Sequence, residues 1–392
     1  MAVQVCVLTS VHQPFDGRIF HRECVSLAQA GYRVTLLAPA DFEQEQREGV
    51  AVMGIPRPAG RRQRPLVWWR LFRRACRLRP DIIHFHDPEL LLLAPLFRLA
   101  LGKRVRLVYD VHEYLLDSLA SKYWIPRWLR PLAVSLTRRL EGLLVHLVTG
   151  LVLAVDGQRP LYAAFRGPIA VVRNLPLARL FEGGVPHPDL ERPGFKLVYV
   201  GLLLPQRGID SVLEAMRLLR EQGIEDVTLY LIGPETSSAY FREIEGFVQA
   251  HRLGQQVRRL GYVPHDRLKD YLAGANAGLC PGQHTRQYSR PNLPTKLFEY
   301  MLGGLPILTV DNPHWRAYVE ESQGGLVVPA GDASAHAEAI LWLRDHPAEA
   351  AAMGQRGRAM VLDHYTWEQE QTKLIAFYEA IEAFGSKLPK RH

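Results

Sequence analysis

The feature that most constrains this chain is an alternation, run through twice, of short apolar stretches rich in β-branched residues with stretches of helical periodicity. In the first round the apolar runs are Val3–Thr9, Arg33–Ala38, Val50–Ile55, Asp81–Phe85, Arg106–Val111, Leu151–Val155 and Ile169–Val172. Helical patterns such as Arg18–Ala30, ended by Gly31, lie between them. Strands that are apolar on both faces and separated by helices predict a parallel sheet covered on both sides. The polar, proline-bearing interval GGVPHPDLERPG (183–194) breaks the pattern and reads as a linker. The alternation then restarts with Lys196–Val200, Thr228–Ile232, Val257–Leu260, Gly278–Cys280, Ile307–Val310 and Leu326–Val328. A length of 392 residues also suits two domains. The expectation is an α/β chain with two doubly wound domains, 1–180 and 195–365, joined by a linker over 181–194 and followed by a helical tail over 366–392. Ligands of open parallel sheets bind beyond the carboxyl ends of the strands, so functional residues should follow strands and face the cleft between the domains.

Charge is unevenly placed. Residues 1–180 carry 26 Lys and Arg against 14 Asp and Glu, and the remainder carries 22 against 26. The excess concentrates in RPAGRRQRPLVWWRLFRRACRLR (57–79) and WIPRWLRPLAVSLTRR (124–139), where arginines interleave with Trp68, Trp69, Trp124 and Trp128. Three readings of this face stand: an anionic membrane surface, a solvated basic face with its tryptophans packed inward, or a grip on a nucleic-acid backbone. No nucleic-acid partner is expected. The run Leu143–Val155 is interrupted by His146, follows Glu141, and is too short to cross a bilayer. Cys6, Cys24, Cys76 and Cys280 form no CxxC pair and read as reduced thiols of a cytoplasmic protein, possible peripheral attachment to the inner membrane face included.

Three stretches carry chemistry. After the first strand of the second domain comes VGLLLPQRGIDSVLEAM, in which Gly201 allows close backbone approach and Arg207-Gly208 opens a helix. A helix N-terminus with an arginine beside it suits a diphosphate, although Arg-Gly turns before helices are common. In RPNLPTKLFEYMLGGLPIL, Pro294 and Thr295 sit where a helix starts, with threonine as a competent cap. Leu297, Phe298, Met301 and Leu302 form an apolar stripe at helical spacing, and Gly303-Gly304 closes the helix. Glu299 falls about one turn in, where a carboxylate accepts hydrogen bonds from a ribose diol or merely complements the helix dipole. Lys296 is a phosphate ligand or a solvated lysine. In the first domain, YDVHEY ends an apolar strand with three ionisable side chains in four residues, which makes His112 a candidate for the reaction centre. Asp16 and Arg18 follow the first strand, where ligands of a parallel sheet bind; Arg18 also reads as a charge at a helix start. His84, His86 and Asp87 raise a metal reading, but the histidines alternate on one strand and no third ligand is evident.

As a set, these motifs resemble a known family. RGI in one half, with PTKLFEYM and GLPI in the other, is similar to the donor domain of family 4 (group 1) retaining glycosyltransferases, which adopt the GT-B fold. VHQPFDGRIFHREC, LAQAGYRVTLLAP, IIHFHDPELL and YDVHEY resemble a branch of that family whose members begin with FDxRIF. GYVPHDRLKDYLAGANAGLCP, GGLVVPAGD and YTWEQE also fit, so the resemblance spans essentially the whole chain in order. It implies two Rossmann-like domains facing across a cleft, with the C-terminal helix returning to the first. It implies a nucleoside-diphosphate sugar donor and a glycan or lipid-linked acceptor. By the resemblance, Glu299 binds the donor ribose, and Gly201, Thr295, Lys296 and Leu297 line the diphosphate with Arg207. His112, Arg207 and Lys296 serve the reaction centre, while Asp16, Arg18, His86 and Asp87 lie on the acceptor side.

Two positions depart from the family's pattern. Pro291 stands where the first glutamate of a paired-glutamate motif belongs, and Leu202 replaces a cation common after the strand glycine. Asn292, His284, Arg286 and Arg290 are the residues available to replace those contacts. No D-x-D triplet occurs, so no metal or other cofactor is expected. A nucleotide-sugar hydrolase or epimerase of the same fold, and a catalytically silent sugar-nucleotide-binding subunit, are the alternative functions.

Overall fold

The structure, a computed structural model, describes residues 2–112, 114–116, 119, 125, 126, 128–235, 238–283 and 292–386. His284, Arg286, Arg290, Pro291 and Trp124, singled out above, lie outside the described residues. The chain divides into two compact units, Met1–Asn174 with Gln369–His392, and Leu175–Glu368.

Unit 1 holds an eight-stranded sheet in the order β3-β4-β2-β1-β5-β6-β7-β8. Its strands are β1 (Gln4–Leu8), β2 (Arg33–Pro39), β3 (Gln44–Arg47), β4 (Val50–Ile55), β5 (Ile82–Phe85), β6 (Arg106–Val111), β7 (Gly150–Leu153) and β8 (Ile169–Val171). All neighbours run parallel except β3, which pairs antiparallel with β4. β5, β6 and β7 are buried along nearly their whole length, as strands covered on both faces must be. The order reverses between β1 and β5, which is the topological switch point of this sheet. The helix expected over Arg18–Ala30 begins as a wider turn, Ile19–Cys24, before it tightens into Val25–Gln29. Its amides reach five residues back, His21 N to Asp16 O and Glu23 N to Arg18 O. The C-terminal helix, Trp367–Ser386, fixes itself to this unit from Gln369 onward. The Arg106 guanidinium donates to the Ile381 and Glu382 carbonyls, and Tyr378 hydrogen-bonds His84 at 2.8 Å.

Unit 2 holds a six-stranded parallel sheet in the order β11-β10-β9-β12-β13-β14. These strands are β9 (Phe195–Val200), β10 (Val227–Ile232), β11 (Val257–Gly261), β12 (Ala277–Cys280), β13 (Ile307–Val310) and β14 (Gly325–Val328). Its switch point lies between β9 and β12. The interval expected as a linker is part of this unit: Phe181 and Leu190 are buried in the same apolar cluster as Leu268, Tyr271 and Leu302. Its prolines shape a packed loop, and the unit begins at Leu175, earlier than residue 195. The helix Thr295–Leu302 buries every residue from Leu297 to Leu302. Gly278 in β12 makes room for it, since a Cβ there would stand 2.4 Å from the Tyr300 ring. Tyr300 in turn accepts a 2.7 Å hydrogen bond from the Val200 amide, which pins the helix to the end of β9.

Candidate active site

At the switch point of unit 1, the loop after β1 folds over the ends of β5 and β6. Asp16 organises it: one carboxylate oxygen accepts from the amides of Arg18 (2.8 Å) and Ile19 (3.0 Å), and the other pairs with His12 at 3.3 Å. Burial pushes its pKa up, yet the bonds from His12 and the Ile19 amide outweigh this and hold the carboxyl well below its usual range. Asp16 therefore caps the turn that carries Arg18. Asp87 is tied down similarly, accepting from Thr9 Oγ1 at 2.9 Å and from the Ser10 amide at 2.5 Å.

Beneath this rim lies a buried ionic network. Arg18 does not reach out toward an acceptor, as its place in the sequence led us to expect. It turns inward and is almost fully buried. Its guanidinium donates to Asp110 Oδ2 (3.0 Å) and the Val172 carbonyl (3.0 Å), with Nε 2.8 Å from Glu23 Oε1. Against the upward push of burial, Arg18 keeps Asp110 ionised, whereas burial and the nearby Asp110 charge raise Glu23 well above the carboxylate range. His86, also expected on the acceptor side, is buried; its Nδ1 lies 2.9 Å from His112 Nε2. The rings of His84, His86 and His112 stack in a column with centroids 4.5 and 5.0 Å apart. Burial lowers the pKa of His84 and of His112 to about 4, so all three imidazoles are neutral at neutral pH, His86 being pushed down further by His84.

His112 follows β6 directly, with its side chain partly exposed and its Nδ1 3.6 Å from Asp110 Oδ1. Both its nitrogens face the network, so Asp110 and His86 set its tautomer and tilt. Glu23, His84, His86 and Asp110 are, among the described residues, a group whose ligand atoms have metal-site spacing, all within 4.8 Å. The partners missing from the metal reading of the sequence are thus Asp110 and Glu23, with Asp87 engaged elsewhere. Arg18 already stands against both carboxylates and supplies the positive charge.

In unit 2 the donor candidates gather at the other switch point. Arg207 ends the short turn Pro205–Arg207 after β9, and Gly208 follows with φ +75°. A side chain at Gly208 would collide with the Gly282 backbone at 2.9 Å, so the loop after β12 closes directly on this turn. Lys296 lies with Nζ 4.0 Å from the Tyr199 ring centroid and beside Gly201, whose absent Cβ would be 3.2 Å from that ammonium. Burial, assisted by Arg207, lowers the Lys296 pKa to about 8. Pro294, not Thr295, occupies the cap position of the helix and provides no side-chain cap; Thr295 is the first helical residue. Leu297 is fully buried, so only its backbone can serve a ligand. Glu299 is nearly buried and meets His265 Nε2 through Oε1 at 2.8 Å. Asn292, named above as a substitute sugar contact, spends its carbonyl oxygen on the Trp315 indole at 2.7 Å.

Sequence reasoning thus brings Gly201, Arg207, Lys296 and Glu299 to one switch point and His112, Asp16 and Asp87 to the other. It misses His265 and Tyr199, which lie 34 and 97 residues from the side chains they meet and carry no local signal. It also misses Glu23, which reads as one more polar residue on a helix.

The descriptions of both units match known families. The model for "Glycosyl transferase 4-like domain" matches residues 17–178, and that for "Glycosyl transferases group 1" matches residues 189–360. The amylovoran biosynthesis glycosyltransferase AmsK of Erwinia amylovora is 26% identical over 187 residues, which is 48% of this chain and 44% of that protein. The chain thus spans less than half the length of that relative. Among solved structures, sucrose-phosphate synthase of Thermosynechococcus elongatus superposes with a TM-score of 0.75 at 18% identity, covering 97% of this chain and all of that one. Anabaena Alr3699/HepE in complex with UDP-glucose gives 0.72 at 14% identity, over 97% of this chain and 99% of that one. With a matching model on each unit and this shared two-sheet architecture, the chain belongs to the group 1 glycosyl transferases of the GT-B fold.

Proposed function

We propose that the protein is a retaining glycosyltransferase that moves a sugar from a nucleoside-diphosphate sugar to a hydroxyl of a glycan or lipid-linked acceptor. It uses no metal ion and works at the inner face of the membrane. One observation carries this reading: Lys296, Arg207 and Glu299 are grouped at the switch point of a parallel sheet, where Lys296 feels the charges of the other two. Lys296 and Glu299 lie on the first turns of one helix, and Arg207 just before the start of another. Two cations and the first-turn amides complement a diphosphate, and a carboxylate one turn on accepts from a ribose diol. Negative charge that develops on the departing diphosphate then meets donors already in place, at no cost of reorganisation. The bond from the anomeric carbon to the phosphate oxygen breaks as the acceptor oxygen bonds to that carbon on the same face. The acceptor's proton passes to the leaving phosphate. In unit 1, His112, neutral and held by Asp110 and His86, is the candidate for the reaction centre, with Asp16 and Asp87 shaping the acceptor side.

Lys296 gives this reading a pH signature. Below about pH 8 its ammonium is charged and attracts the diphosphate; above that value the proton is lost and so is the attraction. Affinity for UDP or GDP should therefore fall by on the order of tenfold between about pH 7 and about pH 9, and Lys296→Met should flatten the profile. Activity itself is tested by supplying nucleotide sugars with and without a membrane-lipid extract, in the presence of a chelator. Acceptor-dependent transfer with the donor's anomeric configuration kept, read by NMR, is expected. Complete donor turnover without any acceptor would favour the hydrolase or epimerase instead.

A further inference from the structure

The helix Arg130–Leu144 in unit 1 is amphipathic the wrong way round for a helix facing water. None of its fifteen residues is buried. Its one acidic residue points inward: Glu141 accepts from the Tyr162 hydroxyl at 2.7 Å. Leu132, Leu136, Leu140 and Leu143, spaced as one helical face, point outward, and the first, second and last are 65%, 64% and 71% exposed. Trp128, just before the helix, is 78% exposed. The same layer continues the apolar surface. The turn Pro88–Leu93, against which this helix packs, and the helix Ala94–Leu101 expose Leu92, Leu96 and Leu99. The neighbouring helix Arg64–Leu78 exposes Leu66 and Trp69.

The same helices carry exposed cations. Arg70, Arg73 and Arg77 are exposed on one helix, and Arg138 and Arg139 on the other. No Asp or Glu occurs between Glu48 and Asp81. The sequence left open whether the tryptophans pack inward. Trp69 and Trp128 do not, and Trp68 is only partly buried. No helix among the described residues is long and apolar enough to cross a membrane. We propose that this face is a docking surface for an anionic lipid bilayer, with Leu132, Leu136, Leu143 and Trp128 entering the acyl boundary and the arginines meeting lipid phosphates. The choice of occupant follows from charge. Arg64 pairs with Glu89, but among the described residues Arg70, Arg73, Arg77, Arg138 and Arg139 make no ion pair. An apolar stripe on helices carrying such arginines complements a negatively charged, apolar interface. This deepens the membrane setting of the proposed function, and rests on that reading only for its purpose.

The test uses the full chain and vesicles of equal parts phosphatidylglycerol and phosphatidylcholine, with pure phosphatidylcholine alongside. Co-sedimentation is expected with the anionic vesicles only, and it should fade as salt shortens the Debye length below about 10 Å. Leu132→Ala with Leu136→Ala should weaken partitioning by on the order of tenfold per leucine. Neither leucine is buried, so the melting temperature and nucleotide affinity should stay unchanged. No binding to anionic vesicles at low salt overturns the proposal. So does a concentration-dependent dimer in sedimentation velocity that the double variant abolishes, since the face would then cover a second copy. Vesicle binding by a protein that binds no nucleoside diphosphate would leave the surface standing and sink the proposed function instead.

Discussion

Glu299→Ala is expected to weaken binding of the cognate nucleoside diphosphate by about tenfold to a hundredfold. Hydrogen bonds to a charged group contribute about 1.5–3 kcal/mol, and each 1.4 kcal/mol is tenfold in affinity. The carboxylate is nearly buried and aimed by two constraints, the helix that carries it and the 2.8 Å contact from His265. A ribose diol would find its acceptor already oriented, which is why the loss should be large. Because Glu299 lies inside an apolar cluster formed by its helix neighbours, Glu299→Gln serves as the control for folding: it keeps the shape and loses the charge. Titration calorimetry with UDP and GDP separates the outcomes. An unchanged dissociation constant in Glu299→Ala would remove the ribose role.

Arg18→Leu should be the most destabilising change outside the apolar cores. It removes the cation that stands against Asp110 and Glu23, both fully buried. Removing one partner of a buried ionic pair typically costs about 3–5 kcal/mol, because the remaining charge has neither water nor a counter-ion. For a unit of this size that corresponds to a drop of roughly 10 °C or more in melting temperature. The raised pKa of Glu23 softens the cost, and the depressed pKa of Asp110 does not. An acceptor-binding arginine would behave otherwise, raising the acceptor KM and leaving the melting temperature within a degree or so. That second result would show that Arg18 reaches a ligand.

How much of this was legible in the sequence depended on how local its cause was. β4 and β13 begin and end where the apolar runs do, because strands covered on both faces are apolar, and β6 does so too although it carries Arg106 and the buried Asp110. The edge strand β3, QEQR, is exposed at every position and has no apolar signature. The interval 183–194 has the composition of a linker, yet Leu190 finds a pocket against Leu268 and Tyr271 that only the folded unit provides. Lys296 and Glu299 were readable because helix start, cation and carboxylate fall within about one turn, and Arg207 because it stands beside another helix start. Arg18 was misread because a charge near a helix start looks alike whether it faces water or a buried aspartate 92 residues away. The tilt of His112 likewise depends on His86 and Asp110, which neighbouring strands bring beside it.

The central claim is that unit 2 binds a nucleoside diphosphate through Arg207, Lys296 and Glu299. It is tested most directly by a thermal-shift panel of UDP, GDP and ADP on the wild-type chain and Glu299→Ala. A ligand present at about a hundred times its dissociation constant stabilises the native state by about 2.7 kcal/mol. One of the three nucleotides should therefore raise the wild-type melting temperature by several degrees, and Glu299→Ala should lose most of that shift. A wild-type protein that none of the three stabilises would contradict the account.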